Sequence, residues 1–379
     1  MKKLFVILPV LLGVMNLFAL RSGGKAGELT DIRWLKGNPH RLYFVRPEGK
    51  ELHYRIVVFL LTHAGNAAGT VNMLHQLQEK YPSAIRINVI TPDPESDARA
   101  FAANIPFKNI SFGVDRDRKT TGRFMEGSML YPMAFLVGPG GEIVWNGEAV
   151  DLPEILAEAL KKPLDVEKQK KIATLLDELQ VLMRDNAERQ MRLLADRIFR
   201  LDPGNAAAMR MRLFVLENSG RIPEAGQLVF EQLERSPGKV RLYYSAFDLI
   251  ARYPYFIKDL ERVTKTFLQN ISDPDACDFA AWTLLSRMNF EPEALKSAVK
   301  LYQKGEELGK TYPRSAASLA GHQTAGALLA ARIGNLKQAV ALQKKAVENY
   351  RKSGNADAVA GAEKNLKYFM LCTQTKVKW

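Results

Sequence analysis

The chain has 379 residues, of which 47% are hydrophobic and 25% are charged. This length and balance fit two or three folded cores and exclude an intrinsically disordered protein, because disordered chains carry too few apolar residues to build a core. The formal net charge is +13. Since the basic side chains are interspersed with glutamates at helical spacing, we interpret the excess as solvated helix faces and expect no nucleic-acid partner.

The first residues have the layout of an export signal. Lys2 and Lys3 precede the apolar run LFVILPVLLGVMNLFAL, which contains a small residue, Ala19, near its end. This pattern predicts a signal peptide over residues 1–21. An uncleaved membrane anchor is the alternative, because the run is close to the minimum length that crosses a bilayer. In both cases we expect the rest of the chain to be exported to the periplasm or cell envelope, or secreted if the leader is cleaved. We expect it to touch a membrane only through this segment if the segment is uncleaved.

From residue 28 to 162, short apolar runs alternate with helical patterns. The predicted strands are residues 55–61, 84–90, 133–137 and 142–146, and the predicted helices are residues 68–81, 95–105, 119–125 and 152–162. Alternation of this kind predicts an α/β domain with a parallel sheet. The turn sequence Gly138-Pro139-Gly140-Gly141 adds an antiparallel hairpin at one edge.

Three segments in this region carry a family resemblance. They are VVFLLTHAGNA at 57–67, NVITPDPESDARAFAANIPFKNISFGVD at 88–115 and YPMAFLVGPGGEIVWNGEA at 131–149. Their order and spacing resemble the thioredoxin-like superfamily, in particular the exported thiol-disulfide oxidoreductases related to peroxiredoxins. The resemblance implies a thioredoxin-like domain over residues 26–163.

The resemblance places the family's redox motif on a loop that has lost its sulfur atoms. The two motif cysteines correspond to Ala64 and Ala67, with Gly65 and Asn66 between them, and the preceding tryptophan corresponds to His63. A thiolate is the nucleophile of disulfide exchange, and alanine cannot replace it. We therefore predict a degenerate redox loop with no catalytic residue and no cofactor.

The resemblance also implies a place where a peptide could bind. The proline that the family keeps in the cis form corresponds to Pro132, which follows Tyr131. In the family a substrate chain pairs with the backbone of the residue before this proline. The predicted peptide-binding residues are therefore Tyr131, Pro132, His63 and Asn66.

Histidine and cysteine spacing argues against a metal site. His40, His53 and His75 form no His-x3-His pair or Cys/His cluster, so we predict that no metal is bound. The two cysteines, Cys277 and Cys372, could form a disulfide or remain free thiols in helices.

The second region, residues 166–375, is helical and repetitive. Four prolines recur at intervals of 34, 37 and 39 residues with a glycine or proline between them, which predicts a solenoid of helix pairs. They are Pro203, Pro237, Pro274 and Pro313, with Gly220, Pro254, Pro292 and Gly334 between them. The best two repeats resemble tetratricopeptides, with Ala225 after Gly220, and Ala339 and Ala346 after Gly334.

An aromatic segment within the repeats has two interpretations. It contains Tyr243, Tyr244, Phe247, Tyr253, Tyr255 and Phe256. Exposed aromatic residues would form a binding hot spot, whereas aromatic residues at helical spacing normally fill the core.

Three functional hypotheses follow from these patterns. The first, which we favour, is a non-catalytic scaffold that binds a protein or peptide in the cell envelope through a redox-inactive thioredoxin fold and helical repeats. The second is a thiol-disulfide oxidoreductase or peroxiredoxin-like enzyme of redox homeostasis, as the family implies. The third is a basic module that associates with envelope polymers or anionic lipid.

Overall fold

The computed structural model describes residues 22–44, 53–104, 107, 109–125, 131–185, 187–203, 205–288, 291–312, 314–353 and 356–374. The predicted leader at residues 1–21 lies outside them. Packing among the described residues defines two compact units that do not follow chain order. The first unit consists of the chain up to Leu60 together with Lys80–Pro94 and Asn109–Ala225. The second unit consists of Leu61–Glu79, Glu95–Lys108 and Gly226–Trp379. The predicted domain boundary at residues 163–166 differs from this division and stays a prediction.

Within its described residues, the first unit contains a six-stranded mixed sheet of order β1-β4-β3-β2-β5-β6. The strands are β1 (Ile32–Lys36), β2 (Tyr54–Phe59), β3 (Ile85–Thr91), β4 (Ser111–Asp115), β5 (Met133–Val137) and β6 (Ile143–Glu148). Strands β2, β3 and β4 are parallel, whereas β1, β5 and β6 each run antiparallel to a neighbour. The predicted α/β fold class of this region is confirmed.

The middle of the sheet explains why the apolar runs form strands. Strands β2 and β5 consist mainly of buried hydrophobic residues, which favour a strand covered on both faces. Phe135 packs edge-on against Phe59 and Phe124, with ring centroids 5.9 and 5.0 Å apart. Phe59, the last residue of β2, pairs with Met133, the first residue of β5. The chain therefore leaves β2 and enters β5 at the same end of these two strands.

The four predicted strands are present, and so is the hairpin between the last two. The Gly138 amide donates to the Glu142 carbonyl over 2.9 Å, and Gly141 has a φ of 73°, which glycine adopts without strain. Strands β1 and β4 were not predicted. Their antiparallel pairing gives the sheet a second antiparallel edge.

Four helices follow the strands in the predicted order. They are α1 (Ala67–Lys80), α2 (Glu95–Asn104), α3 (Lys119–Met125) and α4 (Leu152–Lys161). Helices α1 and α2 belong to the second compact unit, and α3 and α4 belong to the first.

The rest of the described chain is helical, as predicted. The helices are α5 (Val166–Arg184), α6 (Glu188–Leu201), α7 (Ala206–Asn218), α8 (Ile222–Arg235), α9 (Val240–Arg252), α10 (Leu260–Asn270), α11 (Pro274–Arg287), α12 (Pro292–Thr311), α13 (Ala316–Arg332), α14 (Leu336–Lys352) and α15 (Ala356–Gln374). None of the helices that the structure describes combines the length and hydropathy needed to span a membrane.

Along the described chain, two helices fall within each predicted period. In chain order they are α7 and α8, α9 and α10, α11 and α12, and α13 and α14. Gly220 and Gly334 follow the ends of α7 and α13 with φ values of 70° and 82°, the left-handed conformation that ends many helices. Ala225, Ala339 and Ala346 are fully buried, which permits close helix packing. The tetratricopeptide resemblance of these pairs stays a prediction.

Candidate functional site

The peptide bond between Tyr131 and Pro132 is cis, as the resemblance implies. The Pro132 carbonyl, just before β5, accepts a hydrogen bond from the Ala149 amide over 3.0 Å. Tyr131 is half-buried, and burial raises the pKa of its hydroxyl; Arg118 opposes this rise, while Asp93 adds to it. The phenol therefore stays neutral at ordinary pH and is a hydrogen-bond donor beside the proline.

The degenerate redox loop leads directly into α1. His63, Gly65 and Asn66 are exposed, Ala64 is half-buried and Ala67 is fully buried. The Ala67 amide donates to the Ala64 carbonyl over 3.1 Å, and the Asn66 carbonyl accepts from the amide of the fourth residue along. The first motif position is thus reachable by solvent and the second is not, but both carry only a methyl group.

The predicted peptide-binding residues are divided between the two compact units. Tyr131 and Pro132 belong to the first unit, and His63 and Asn66 belong to the second. A single groove built from all four residues stays a prediction.

Both cysteines are free and buried, so the disulfide alternative is wrong. Burial raises the pKa of the Cys277 thiol, and the neighbouring carboxylates of Asp278 and Asp273 add to the rise. A thiol in this setting resists conversion to the nucleophilic thiolate. Cys277 is therefore unsuited to disulfide exchange.

Among the described residues, no group of three His, Cys, Asp or Glu side chains is placed to hold a metal ion. A hydrogen bond connects His40 to β3, because the side-chain amide of Asn88 donates to the His40 carbonyl over 2.8 Å. Burial lowers the pKa of His40, and Arg55 and Arg86 lower it further. The neutral imidazole is therefore favoured at this position.

The predicted aromatic segment of the repeats does not form one surface. Tyr243, Phe247 and Phe256 are core residues, so the binding-surface interpretation is wrong for these three. The Tyr243 hydroxyl donates to the Pro237 carbonyl over 2.8 Å, which satisfies its polar end inside the core. Of the remaining residues, Tyr255 is exposed, and Tyr244 and Tyr253 are half-buried.

Tyr244 instead belongs to an aromatic surface that the sequence analysis missed. Its ring centroid lies 4.6 Å from that of Phe279, which in turn lies 6.1 Å from that of Trp282. Phe279 is 44% exposed and Trp282 is 37% exposed. The sequence signal that could have identified this surface is the three-residue spacing of Phe279 and Trp282 on α11, which places both side chains on one face of the helix. We call Tyr244, Phe279 and Trp282 the α9–α11 aromatic surface.

A polar network at the start of α11 was also missed. Arg314 lies 3.2 Å from Asp275 Oδ1, forms a second ion pair with Asp278, and donates to the Gly305 carbonyl over 2.6 Å. Asp278 Oδ1 lies 2.8 Å from Nδ1 of His322. The sequence signal is weak, because acidic residues near a helix start are ordinarily solvated and stabilise the helix dipole.

No protein-family model and no curated protein matches the chain. Among solved structures, it is similar to a Chlorobium tepidum protein provisionally named thiol:disulfide interchange protein DsbE, with 20% identity, 38% of this chain and 99% of that chain covered, and a TM-score of 0.30. It is also similar to a thiol-disulfide oxidoreductase from Bacteroides fragilis, with 18% identity and a TM-score of 0.25. That match covers 36% of this chain and 99% of the other chain. A third similar structure is the Xanthomonas campestris bacterioferritin comigratory protein, described with an alkyl peroxide reduction activity. Its identity to this chain is 17%, the match covers 34% of this chain and 87% of the other chain, and the TM-score is 0.27.

Proposed function

We propose that this protein is an exported, non-catalytic scaffold that binds a partner protein or peptide in the cell envelope. The observation that carries the proposal is the pair Ala64 and Ala67, which are half-buried and fully buried and put no sulfur atom at the two positions that the resemblance assigns to cysteines. Disulfide exchange needs a thiolate. Since Cys277 is buried and its pKa is raised, binding accounts for the retained fold better than catalysis does.

The α9–α11 aromatic surface supports the helical repeats as one part of the binding site. Large aromatic residues supply much of the binding energy at protein interfaces, because they bury a large area with few rotatable bonds. Phe279 and Trp282 remain substantially exposed although neighbouring residues of α11 are buried. Their chemistry suits an apolar or aromatic side chain of a partner.

Tyr131 and Pro132 are the second part of the proposed site. In the thioredoxin-like family an extended peptide pairs with the backbone before the cis-proline, and this interaction needs no sulfur. A partner held at this point and on the repeats would gain affinity from two linked contacts. We therefore assign specificity to the Tyr131-Pro132 segment and binding area to the aromatic surface.

The test uses point variants in residues 22–379. Fragments cut near residue 163 would separate α1 from the helices after Gly226, which share one compact unit. Each variant is cross-linked in an envelope extract, and the captured proteins are quantified by mass spectrometry. We expect Phe279→Ala with Trp282→Ala, and separately Pro132→Ala, to lower recovery of a specific partner at least tenfold.

Tyr368→Ala is the matched control, because Tyr368 is an exposed aromatic residue on α15, outside the proposed site. It should leave recovery unchanged. Equal recovery by all folded variants would contradict the two-part site. Binding to anionic vesicles that disappears with added salt would instead support the basic surface-association hypothesis.

A further inference from the structure

The start of α1 is buried on every side. Ala67, Ala68, Gly69, Thr70, Val71 and Asn72 are six consecutive buried residues. A helix covered on a single face would expose about half of such a stretch, since its apolar stripe is about 100° wide. More than one face of these two turns is therefore covered.

Within the second unit, the carboxylates of Asp275 and Asp273, at the start of α11, lie next to Gly69. A Cβ atom at this position would lie 2.9 Å from Oδ2 of Asp275 and 3.6 Å from Oδ1 of Asp273. Only glycine fits such an approach without a shift of the neighbour. Oδ2 of Asp275 is itself buried and has no hydrogen-bond partner among the described residues.

Around this contact, three carboxyls surround one guanidinium, which forms ion pairs with two of them. Asp273, Asp275 and Asp278 are three acidic residues gathered around the guanidinium of Arg314. The other oxygen of Asp275 accepts a hydrogen bond from the hydroxyl of Ser318. With every carboxyl ionised, the cluster would hold surplus negative charge in a site that water reaches poorly, which is costly.

We propose that Asp275 is a proton-operated latch that holds the start of α1 against α11. The neutral carboxyl packs against Gly69, because an uncharged oxygen needs little solvation there. The ionised carboxylate requires water at Oδ2 and is repelled by Asp273 and Asp278, so it releases the first turns of α1 and the loop at residues 62–66. The latch does not depend on the proposed function.

The groups around the latch place its transition near neutral pH. Burial raises the pKa of Asp275 to about 7, and Asp273 adds to the rise. The first six residues of α1 carry no titratable side chain. Several titratable and charged groups surround the network. They are Asp273 just before α11, Cys277 and Asp278 on α11, Arg241 and Tyr244 on α9, Tyr302 and Lys304 on α12, Arg314 before α13, and His322 on α13.

The experiment is hydrogen exchange of the full chain at pH 6 and pH 8, read by mass spectrometry. Exchange of α1 is divided by exchange of α3, which cancels the intrinsic effect of pH. In the wild type we expect this ratio to rise about tenfold, because the neutral fraction of a group with a pKa of about 7 falls about tenfold over this range. In Asp275→Asn, which is neutral at both pH values, the ratio should not change.

Two controls make the test specific. Asp248→Asn removes a carboxylate that pairs with Arg252 outside the network, and it should keep the wild-type response. Gly69→Ala should open α1 at pH 6, whereas Gly122→Ala in α3 should not, because a Cβ atom at 122 meets nothing within 4 Å.

The proposal is overturned if the wild-type ratio is independent of pH, or if Gly69→Ala leaves α1 protected at pH 6. An Asp275→Asn variant that responds like the wild type also overturns it. If that variant fails to fold, the wild-type ratio and the pair Gly69→Ala and Gly122→Ala still decide the outcome.

Discussion

Replacing Arg314 by methionine removes the guanidinium at the centre of the polar network while keeping most of the apolar stem. The Arg314 and Asp278 side chains are each only 7% exposed. The substitution would leave buried carboxylates without their cation and would also remove the hydrogen bond to the Gly305 carbonyl.

Breaking a buried ion pair by removing one partner costs about 3–5 kcal/mol. A folded domain is stable by about 5–15 kcal/mol, so this loss is large. The cost should shrink as the pH falls from 7 to 5, because the carboxyl of Asp275, whose pKa is about 7, then takes up a proton and needs no cation. The variant should therefore be unstable at neutral pH and partly rescued by acid.

The assay is urea unfolding at pH 7 and pH 5, with peptide-resolved hydrogen exchange following α11 and α13. Peptide resolution is needed because a chain with two compact units need not unfold in one step. Arg262→Met is the control, since Arg262 is 47% exposed and pairs with Glu234 and Asp259 at 2.9 and 3.0 Å. This exposed arginine should contribute less than about 1 kcal/mol.

Comparing the two arginine variants tests whether the polar network stabilises the folded protein. If Arg314→Met loses no more stability at pH 7 than Arg262→Met, the network does not contribute as argued. A cost for Arg314→Met that grows on acidification would refute the assignment of the proton to the acid cluster.

Three further predictions address the loop and the latch. Residues 22–379 should not reduce insulin in the presence of thiols, and activity that survives replacement of both Cys277 and Cys372 would reveal chemistry outside the cysteines. Ala64→Cys with Ala67→Cys should form an intraloop disulfide under mild oxidation, because the N-terminus of α1 stabilises a thiolate and lowers its pKa below about 8.5; a folded double variant that retains two free thiols would count against the loop assignment. Asp275 binds its proton more tightly in the folded chain, so its contribution to stability is fully present below about pH 4 and is lost as the pH rises through about 7. In urea unfolding, the free energy of the wild type should therefore fall relative to that of Asp275→Asn between these pH values, and a constant difference would contradict this.

Local patterns determined much of the fold. Apolar runs predicted β2, β3 and β5, because strands buried on both faces need consecutive apolar residues. The segment KTTGRFM predicted α3 with the observed bounds, and the recurring prolines and glycines predicted the helix pairs. The absence of a thiol at positions 64 and 67 is likewise a fact of sequence, independent of packing.

Strands β1 and β4 needed tertiary information. The sequence of β1, IRWLK, mixes charged and apolar residues, and its burial pattern is only partial. Its strand character depends on pairing with β4, in which Trp34 lies opposite Gly113. Edge strands of this kind are stabilised by their neighbours, which lie far away in sequence.

In the polar network, too, local sequence and tertiary structure determine different properties. Asp275 and Asp278 occur in PDACD, a segment whose local pattern indicates only a helix start with an acidic residue in its first turn. Arg314, Ser318 and Gly69 approach it from distant parts of the chain. The sequence determines how many carboxyls exist, but burial and the neighbouring charges decide which of them keeps its proton, because the solvation of an ion depends on everything packed around it.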